Sequence, residues 1–403
     1  MLVPGTFALT LLLSALSAIG PLTTDMYLPS LPDIAQKLSA STAEVQLTIS
    51  AYLIGFAVGQ IVYGPVSDRH GRKPVLIGAM TIYFVATILC AVAPSIETLI
   101  AARFVQAIGG SGGIVLARAV VRDLFSGNRA GREMSVIGAV MALAPVVAPV
   151  VGGIMQSAFG WRGIFVTQSV AGAAMVAVVW FLLPETLKQR AAERISMASI
   201  WASYRIVARN PVYLAYLAMC STIYAGLFAW LSGAAFVLQG LYGLTPFQFG
   251  FVFAIGSSGF LIGSFIAARI VGKLGLDGVL GVGGACAAVG GLGMVASVAI
   301  GSASSLSIVI PVSVYLAGLG MVLPQSIAGA LTPFPERAGA ASSLFGFVQQ
   351  TLAAICGAMV GLLLGHDAWP LAAGVAFMGV ATLVIWVATR DLRKRNAALH
   401  HHK

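Results

Sequence analysis

The sequence predicts an all-α integral membrane protein with twelve transmembrane helices in two pseudo-symmetric six-helix halves. Three observations predict it. Of 403 residues, 59% are hydrophobic and only 9% charged, with a mean hydropathy of +0.95, where soluble domains carry about 25% charged residues. Uncharged runs such as 75–95 and 279–307 reach or exceed the roughly 20 apolar residues that cross a bilayer core. The basic residues cluster at alternate ends of these runs, and one long charged connection, 185–210, divides the chain into similar halves. The 47 Gly and 17 Pro follow no period, which excludes collagen, and sparse charge excludes disorder and coiled coil. Continuous apolar stretches exclude the alternating strands of a membrane β-barrel.

Cutting at proline, glycine and charge clusters places the spans at 6–30, 44–64, 75–94, 98–124, 134–158 and 162–184 in the first half. The second half has 211–238, 247–270, 279–301, 306–330, 339–364 and 368–389. With both termini cytoplasmic, nearly all Lys and Arg fall in inner loops; Lys37 and Arg162 lie outside, and Arg103 and Arg118 within a span. That asymmetry fixes the orientation and the even number of crossings. It also explains the net charge of +10 without a nucleic-acid partner. The expected domains are an N-terminal bundle, 1–186, a cytoplasmic loop, 187–210, a C-terminal bundle, 211–390, and a cytoplasmic tail, 391–403. The start of the chain reads as the first membrane helix and not a cleaved leader, and His400, His401 and His402 as a tag remnant. Cys90, Cys220, Cys286 and Cys356 lie in apolar runs without paired spacing and read as small buried hydrophobes.

The loop after the second span reads Gly64-Pro65-Val66-Ser67-Asp68-Arg69-His70-Gly71-Arg72-Lys73-Pro74. Gly64 and Gly71 permit close approach and a tight turn, while the Asp68 carboxylate can cap a helix and pair with a guanidinium, for which Arg122 is the candidate. This loop resembles the G-x-x-x-D-R-x-G-R-[RK] loop of the major facilitator superfamily, in which it serves gating.

The fourth span holds Arg103-Phe104-Val105-Gln106-Ala107-Ile108-Gly109-Gly110, placing a guanidinium about 8 Å inside the outer end. A charge at such depth faces the bundle interior and needs a partner. Asp25, at similar depth on the first span, is the expected one. The fifth span reads Ala144-Pro145-Val146-Val147-Ala148-Pro149-Val150-Val151-Gly152-Gly153. Prolines four apart remove backbone hydrogen bonds at successive turns, and Gly152 and Gly153 let a neighbour pack closely. This resembles the span-five motif of antiporters of the superfamily, with alanine where a glycine often precedes each proline.

Together with Ala117-Arg118-Ala119-Val120-Val121-Arg122-Asp123, Trp161-Arg162-Gly163, Pro184-Glu185-Thr186 and Pro335-Glu336-Arg337, these segments resemble the bicyclomycin and chloramphenicol resistance branch of the bacterial drug:proton antiporters. The resemblance covers nearly the whole chain, although the second-half loop, 269–278, is degenerate. It implies a twelve-helix fold in the bacterial inner membrane, alternating access, and efflux of small organic molecules driven by inward proton flow. It implies no enzyme activity and no cofactor beyond protons as coupling ion. Gly109-Gly110-Ser111-Gly112-Gly113 satisfies a nucleophile-elbow pattern, but the strand-turn-helix setting and a histidine base are missing. No clustered metal ligands occur in the sequence.

A proton antiporter needs a partly buried carboxylate, and Asp25 is the candidate because Asp123 lies near the inner boundary and the other acids are expected in loops. In the expected mechanism, protonation of Asp25 releases Arg103 and drug, and deprotonation restores the pair. The family's broad cation exporters often carry a second acid about two turns before the Asp25 position, where this chain has Ser17, a departure that argues against lipophilic dications; Arg118 adds positive potential at the inner mouth. The substrate is therefore expected to be neutral, zwitterionic or weakly anionic, like phenicol- or bicyclomycin-type antibiotics. Candidate contacts besides Asp25, Arg103 and Arg118 are Tyr224, Phe228, Phe253, Tyr315, Gln325 and Gln349, an apolar set with a few polar groups. The expected partners are drug, protons and lipid, with the chain a monomer. Export of an amino acid or other metabolite, or a non-transporting membrane sensor, are the alternatives.

Overall fold

The computed structural model describes residues 6–187, 197–302, 304–334, 337–365 and 367–393. The motif residues Pro335 and Glu336, and the tail from 394 onward, lie outside them. The helices are α1 (Phe7–Asp25), α2 (Leu31–Lys37), α3 (Thr42–His70), α4 (Arg72–Ala91), α5 (Ile96–Leu124), α6 (Gly127–Leu182), α7 (Met197–Ala208), α8 (Pro211–Ala235), α9 (Pro246–Ala299), α10 (Leu306–Leu331), α11 (Ala338–Leu363) and α12 (Trp369–Ala388). No strand occurs among the described residues. This is the all-α membrane architecture the sequence predicts.

Ten of these stretches are long and apolar enough to cross a membrane. Two of the ten, α6 with 56 residues and α9 with 54, would each extend about 80 Å if straight, far beyond a bilayer core of about 30 Å. Each breaks at a glycine with positive φ, Gly160 (φ 69°) and Gly275 (φ 67°), a conformation that glycine adopts without strain. Across the first break the Thr167 hydroxyl donates to Met155 Sδ at 3.6 Å, so the chain folds back on itself. Counting both arms of each gives the twelve predicted spans.

Span ends are set by local chemistry. Ser41 and Glu44 form a reciprocal capping box at the start of α3, satisfying two backbone amides that no helical carbonyl can reach. Ser95 accepts the Thr98 amide at the start of α5, and Asn210 caps α8, where Pro211 occupies the first turn without needing a hydrogen bond. The first span stops earlier than its apolar run: α1 ends at Asp25, and a 3₁₀ turn at Leu28–Ser30 leads into the short helix α2. Tyr27, Leu28, Leu31 and Ile34 are all fully buried.

The chain forms two compact units. The first comprises 1–195 with 244–251. In it α5 packs on α3 and α4, and α1 on α5 and α6. A Cβ at Gly113 would strike the Leu16 carbonyl oxygen of α1, so the α1–α5 approach depends on small residues. The second comprises 196–243 and 252–403, with α8 at its centre against α10, α11 and α12. Buried hydrophobic side chains fill the interior of both, while exposed ones such as Phe181, Val170, Phe377 and Leu362 suit contact with lipid.

Candidate functional site

The first unit buries a polar cluster around Arg103, whose side chain is 0% exposed. α5 carries Arg103 and Gln106 one turn apart, so both reach the same interior space. Arg103 Nη1 donates to Gln106 Oε1 at 2.7 Å. Gln106 Nε2 donates to Thr87 Oγ1 (2.9 Å) and Gln168 Oε1 (3.2 Å), and Gln168 Nε2 donates to the Thr23 carbonyl (3.2 Å). Thr23 shares a hydroxyl hydrogen bond with Tyr83 at 2.8 Å. The guanidinium carbon stands 4.3 Å from the Tyr52 ring centroid and 4.6 Å from that of Tyr27, with Phe165 at 5.9 Å.

Asp25 is also buried, at 4% exposure, on the last turn of α1. The expected ion pair with Arg103 is not formed: among the described residues no basic nitrogen lies within 4.0 Å of Asp25. Arg103 Nε and Nη2 have no hydrogen-bond partner. The aromatic faces of Tyr27 and Tyr52 take the place assigned to the carboxylate, because a ring face attracts a cation without itself requiring a buried negative charge.

At the connection between α3 and α4, the partner expected for Asp68 is corrected. Arg122 is exposed, and Arg72 provides the guanidinium instead. Arg72 Nη1 reaches Asp68 Oδ1 at 2.6 Å and Ser67 Oγ at 2.7 Å, while its Nε donates to Asp123 Oδ2 at 2.9 Å. Arg69 is exposed. Gly71 has φ 103° and its missing Cβ makes room for the Glu185 carboxylate, as a tight approach requires. Glu185 accepts the backbone amides of Arg72, Lys73, Thr186 and Leu187 at 2.9–3.2 Å, placing an anion at the positive end of α4. Gly64, by contrast, meets nothing within 4 Å of a Cβ, so the close approach expected there is absent.

On α6, Gly152 lies against the backbone of Met26, and a Cβ at Gly153 would stand 2.5 Å from the Pro246 carbonyl oxygen, within the same unit. Pro145 and Pro149 both lie inside the helix. Arg118 is exposed between buried Ala117 and Ala119. In the second unit Tyr224 and Phe228 pair at 5.1 Å, and Phe253 stacks on Trp230 at 5.7 Å. Tyr315 donates to the Ile223 carbonyl at 2.8 Å, and Gln349 Nε2 to Cys220 Sγ at 3.5 Å. Gln325 is half-buried.

Sequence reasoning missed two features. Asp277 and Arg393 pair at 2.6 Å where the second-half loop had read as degenerate; Arg393 also binds the Trp386 carbonyl at 2.8 Å and Thr389. And Glu133 lies not in a loop but inside α6, 9% exposed, accepting from Thr10 at 2.7 Å. Starting the fifth span at 134 hid it; extending the helix one turn back would have found it.

A model of the Major Facilitator Superfamily matches residues 13–358. The chain belongs to this superfamily. It is 35% identical over 357 residues to an uncharacterized MFS-type transporter, YdgK, of Bacillus subtilis, covering 88% of this chain and 89% of that one. It is 31% identical over 391 residues to a bicyclomycin resistance protein homolog of Haemophilus influenzae, covering 97% of each. A chloramphenicol resistance protein of Pseudomonas aeruginosa is 29% identical over 94% of this chain and 89% of its own. Among solved structures, a D-xylose-proton symporter superposes with a TM-score of 0.77 at 15% identity, covering 94% of this chain and 97% of that one. A bacterial homolog of the lysosomal transporter Spinster gives 0.72 at 16% identity over 98% of each. This superfamily member is therefore a multi-pass membrane transporter and not an enzyme, in the branch whose members carry the bicyclomycin and chloramphenicol resistance names.

Proposed function

We propose that the protein is a proton-coupled drug exporter of the inner membrane, with both termini cytoplasmic. It works as a monomer and carries small neutral, zwitterionic or weakly anionic compounds of the phenicol or bicyclomycin type. The observation that carries the reading is a buried carboxylate, Asp25, in the same six-helix unit as a fully buried guanidinium, Arg103, whose Nε and Nη2 donors are open. Two such groups at membrane depth are costly and are kept for function. Relatives named for multidrug, bicyclomycin and chloramphenicol resistance support the substrate class.

In this mechanism the proton and the substrate compete through Arg103. Asp25 protonated leaves the guanidinium on its aromatic faces, the separated arrangement described above. Deprotonated, Asp25 draws on the two open donors and restores the binding-competent state. Inward proton flow then drives outward drug flow through their opposed preference for the two states. The aromatic and amide side chains of the second unit, Tyr224, Phe228, Phe253, Tyr315, Gln325 and Gln349, supply apolar contact without charge.

The test is proton release by detergent-purified protein on addition of chloramphenicol, wild type beside Asp25→Asn. Drug-evoked release in the wild type that vanishes in the variant is the expected result. Drug binding without proton movement in the wild type overturns the proposal and leaves an uncoupled carrier or a sensor.

A further inference from the structure

Five of the six polar residues of α1 share one side of the helix: at 100° per residue, Thr10, Ser14, Ser17, Thr24 and Asp25 fall within about 100° of arc, while the sixth, Thr23, points away from them and bonds Tyr83. Apart from Thr10, which is half-buried, each is at least 95% buried. The face is anchored at both ends by a carboxylate: Asp25 at the outer end, and at the inner end Glu133 of α6, which accepts the Thr10 hydroxyl. Ser14 Oγ is buried with no hydrogen-bond partner. Pro21 lies inside α1 and has no amide hydrogen, so the Ser17 carbonyl lacks its helical donor. An orphan hydroxyl and a freed carbonyl on one face, between two buried acids, are the polar partners that bridging waters need in an otherwise dry interior.

We infer that this face is a proton relay and that Glu133 is its inner terminal group, an inference that rests on the proton coupling proposed above. Asp25 takes a proton from the outer side and passes it, over hydroxyls and bridging waters, to the Glu133 carboxylate. Glu133 then releases it to the cytoplasmic side, so that one proton moves inward and each carboxyl returns to its starting charge. Thr10 to Asp25 is about 22 Å along the helix, and the longest step without a side-chain hydroxyl, Ser17 to Thr24, is about 10 Å. That step conducts only when hydrated, which keeps the path from leaking protons in the absence of substrate.

The surroundings of Glu133 fit a proton-passing group better than a structural ion. Among the described residues no basic nitrogen lies within 4.0 Å of it. The basic groups of the neighbouring inner ends are otherwise disposed: Arg129 and Arg132 of its own helix and Arg118 and Arg122 of α5 are exposed, and Arg72 of α4 is held by Asp68 and Asp123. Leu9 and Leu13, which flank Thr10 in the sequence of α1, and Ile137, one turn beyond Glu133 on α6, belong to one buried apolar cluster.

The relay is tested in proteoliposomes with two readouts: proton movement evoked by chloramphenicol, bicyclomycin or a sulfonamide under an imposed pH gradient, and exchange of labelled drug for unlabelled drug, which moves no net proton. Glu133→Gln is expected to slow evoked proton movement about a hundredfold, the low end for loss of a positioned proton-transfer group, while drug exchange continues. Glu133→Asp is expected to recover most of the proton rate. Should Glu133→Gln fail to fold, Ser14→Ala is read in the same two assays and is expected to slow proton movement selectively. Wild-type proton rates in Glu133→Gln, or in Ser14→Ala where that variant stands in, overturn the relay and leave the proposed function standing. Wild-type liposomes that move no protons with any of the three drugs overturn both.

Discussion

Arg103→Met is expected to stop transport without destabilising the protein. Placing a guanidinium in the middle of a membrane helix costs about 2.5–3.5 kcal/mol, and each of the two open donors, Nε and Nη2, adds to that cost. Against this stand one charge-assisted hydrogen bond to Gln106, worth about 1.5–3 kcal/mol, and the rings of Tyr27 and Tyr52, worth about 2 kcal/mol when desolvated. The terms cancel to within about 2 kcal/mol, and no carboxylate within 4.0 Å is orphaned by the change. Methionine fills a similar volume and can lie against the same rings. The assay is thermal unfolding in detergent beside drug-evoked proton release: an unchanged or raised midpoint with lost coupling is expected. A midpoint many degrees lower would refute the reasoning, since it would mean that the buried charge is paired and contributes to the fold.

Three further outcomes follow from packing and charge. Gly113→Val should force α1 from α5, because its Cβ meets the Leu16 carbonyl oxygen and not a side chain able to turn away. A loss of about 1–3 kcal/mol or more is expected, read as reduced monodisperse yield on size exclusion. Arg393→Ala should cost about 2–4 kcal/mol, because Arg393 is 2% exposed and removing it strands Asp277 in the second unit. Lys37→Ala, which breaks an ion pair whose lysine side chain is 53% exposed, should leave the unfolding midpoint within about 1 kcal/mol of wild type.

The fold was legible because it rests on composition and period. Apolar, sparsely charged stretches of bilayer length recur twelve times, and the observed helices agree with the predicted spans to a few residues at most ends. Where they differ, a specific contact intervenes: the first apolar run continues past Asp25, but the chain there turns into α2, whose Leu31 and Ile34 are buried. The motif residues were legible as a set and illegible as pairs. Arg103 and Arg72 were visible as unusual charges, but their neighbours come from elsewhere in the chain: Tyr27 and Tyr52 for one, Asp123 and Glu185 for the other. Periodicity reports which face of a helix a residue occupies and not what another helix presents to it. Asp277 and Arg393, 116 positions apart, carried no shared motif at all.

Among the described residues, the buried charges within membrane helices, Asp25, Arg72, Arg103 and Glu133, all belong to the first unit; Arg393, the remaining one, follows the end of α12. The polar groups buried in the membrane helices of the second unit are amides and hydroxyls, set among aromatic and aliphatic side chains. Such a layout separates two kinds of evolutionary risk. On the proposed mechanism, a substitution among the charged groups disturbs proton coupling and is punished at once. One at Tyr224, Phe253 or Gln349, which are proposed drug contacts, alters shape and polarity with no ionic balance to upset. Under selection by a new toxic compound, heritable changes in what the transporter accepts should therefore accumulate in the second half of the gene, while the first half stays nearly fixed.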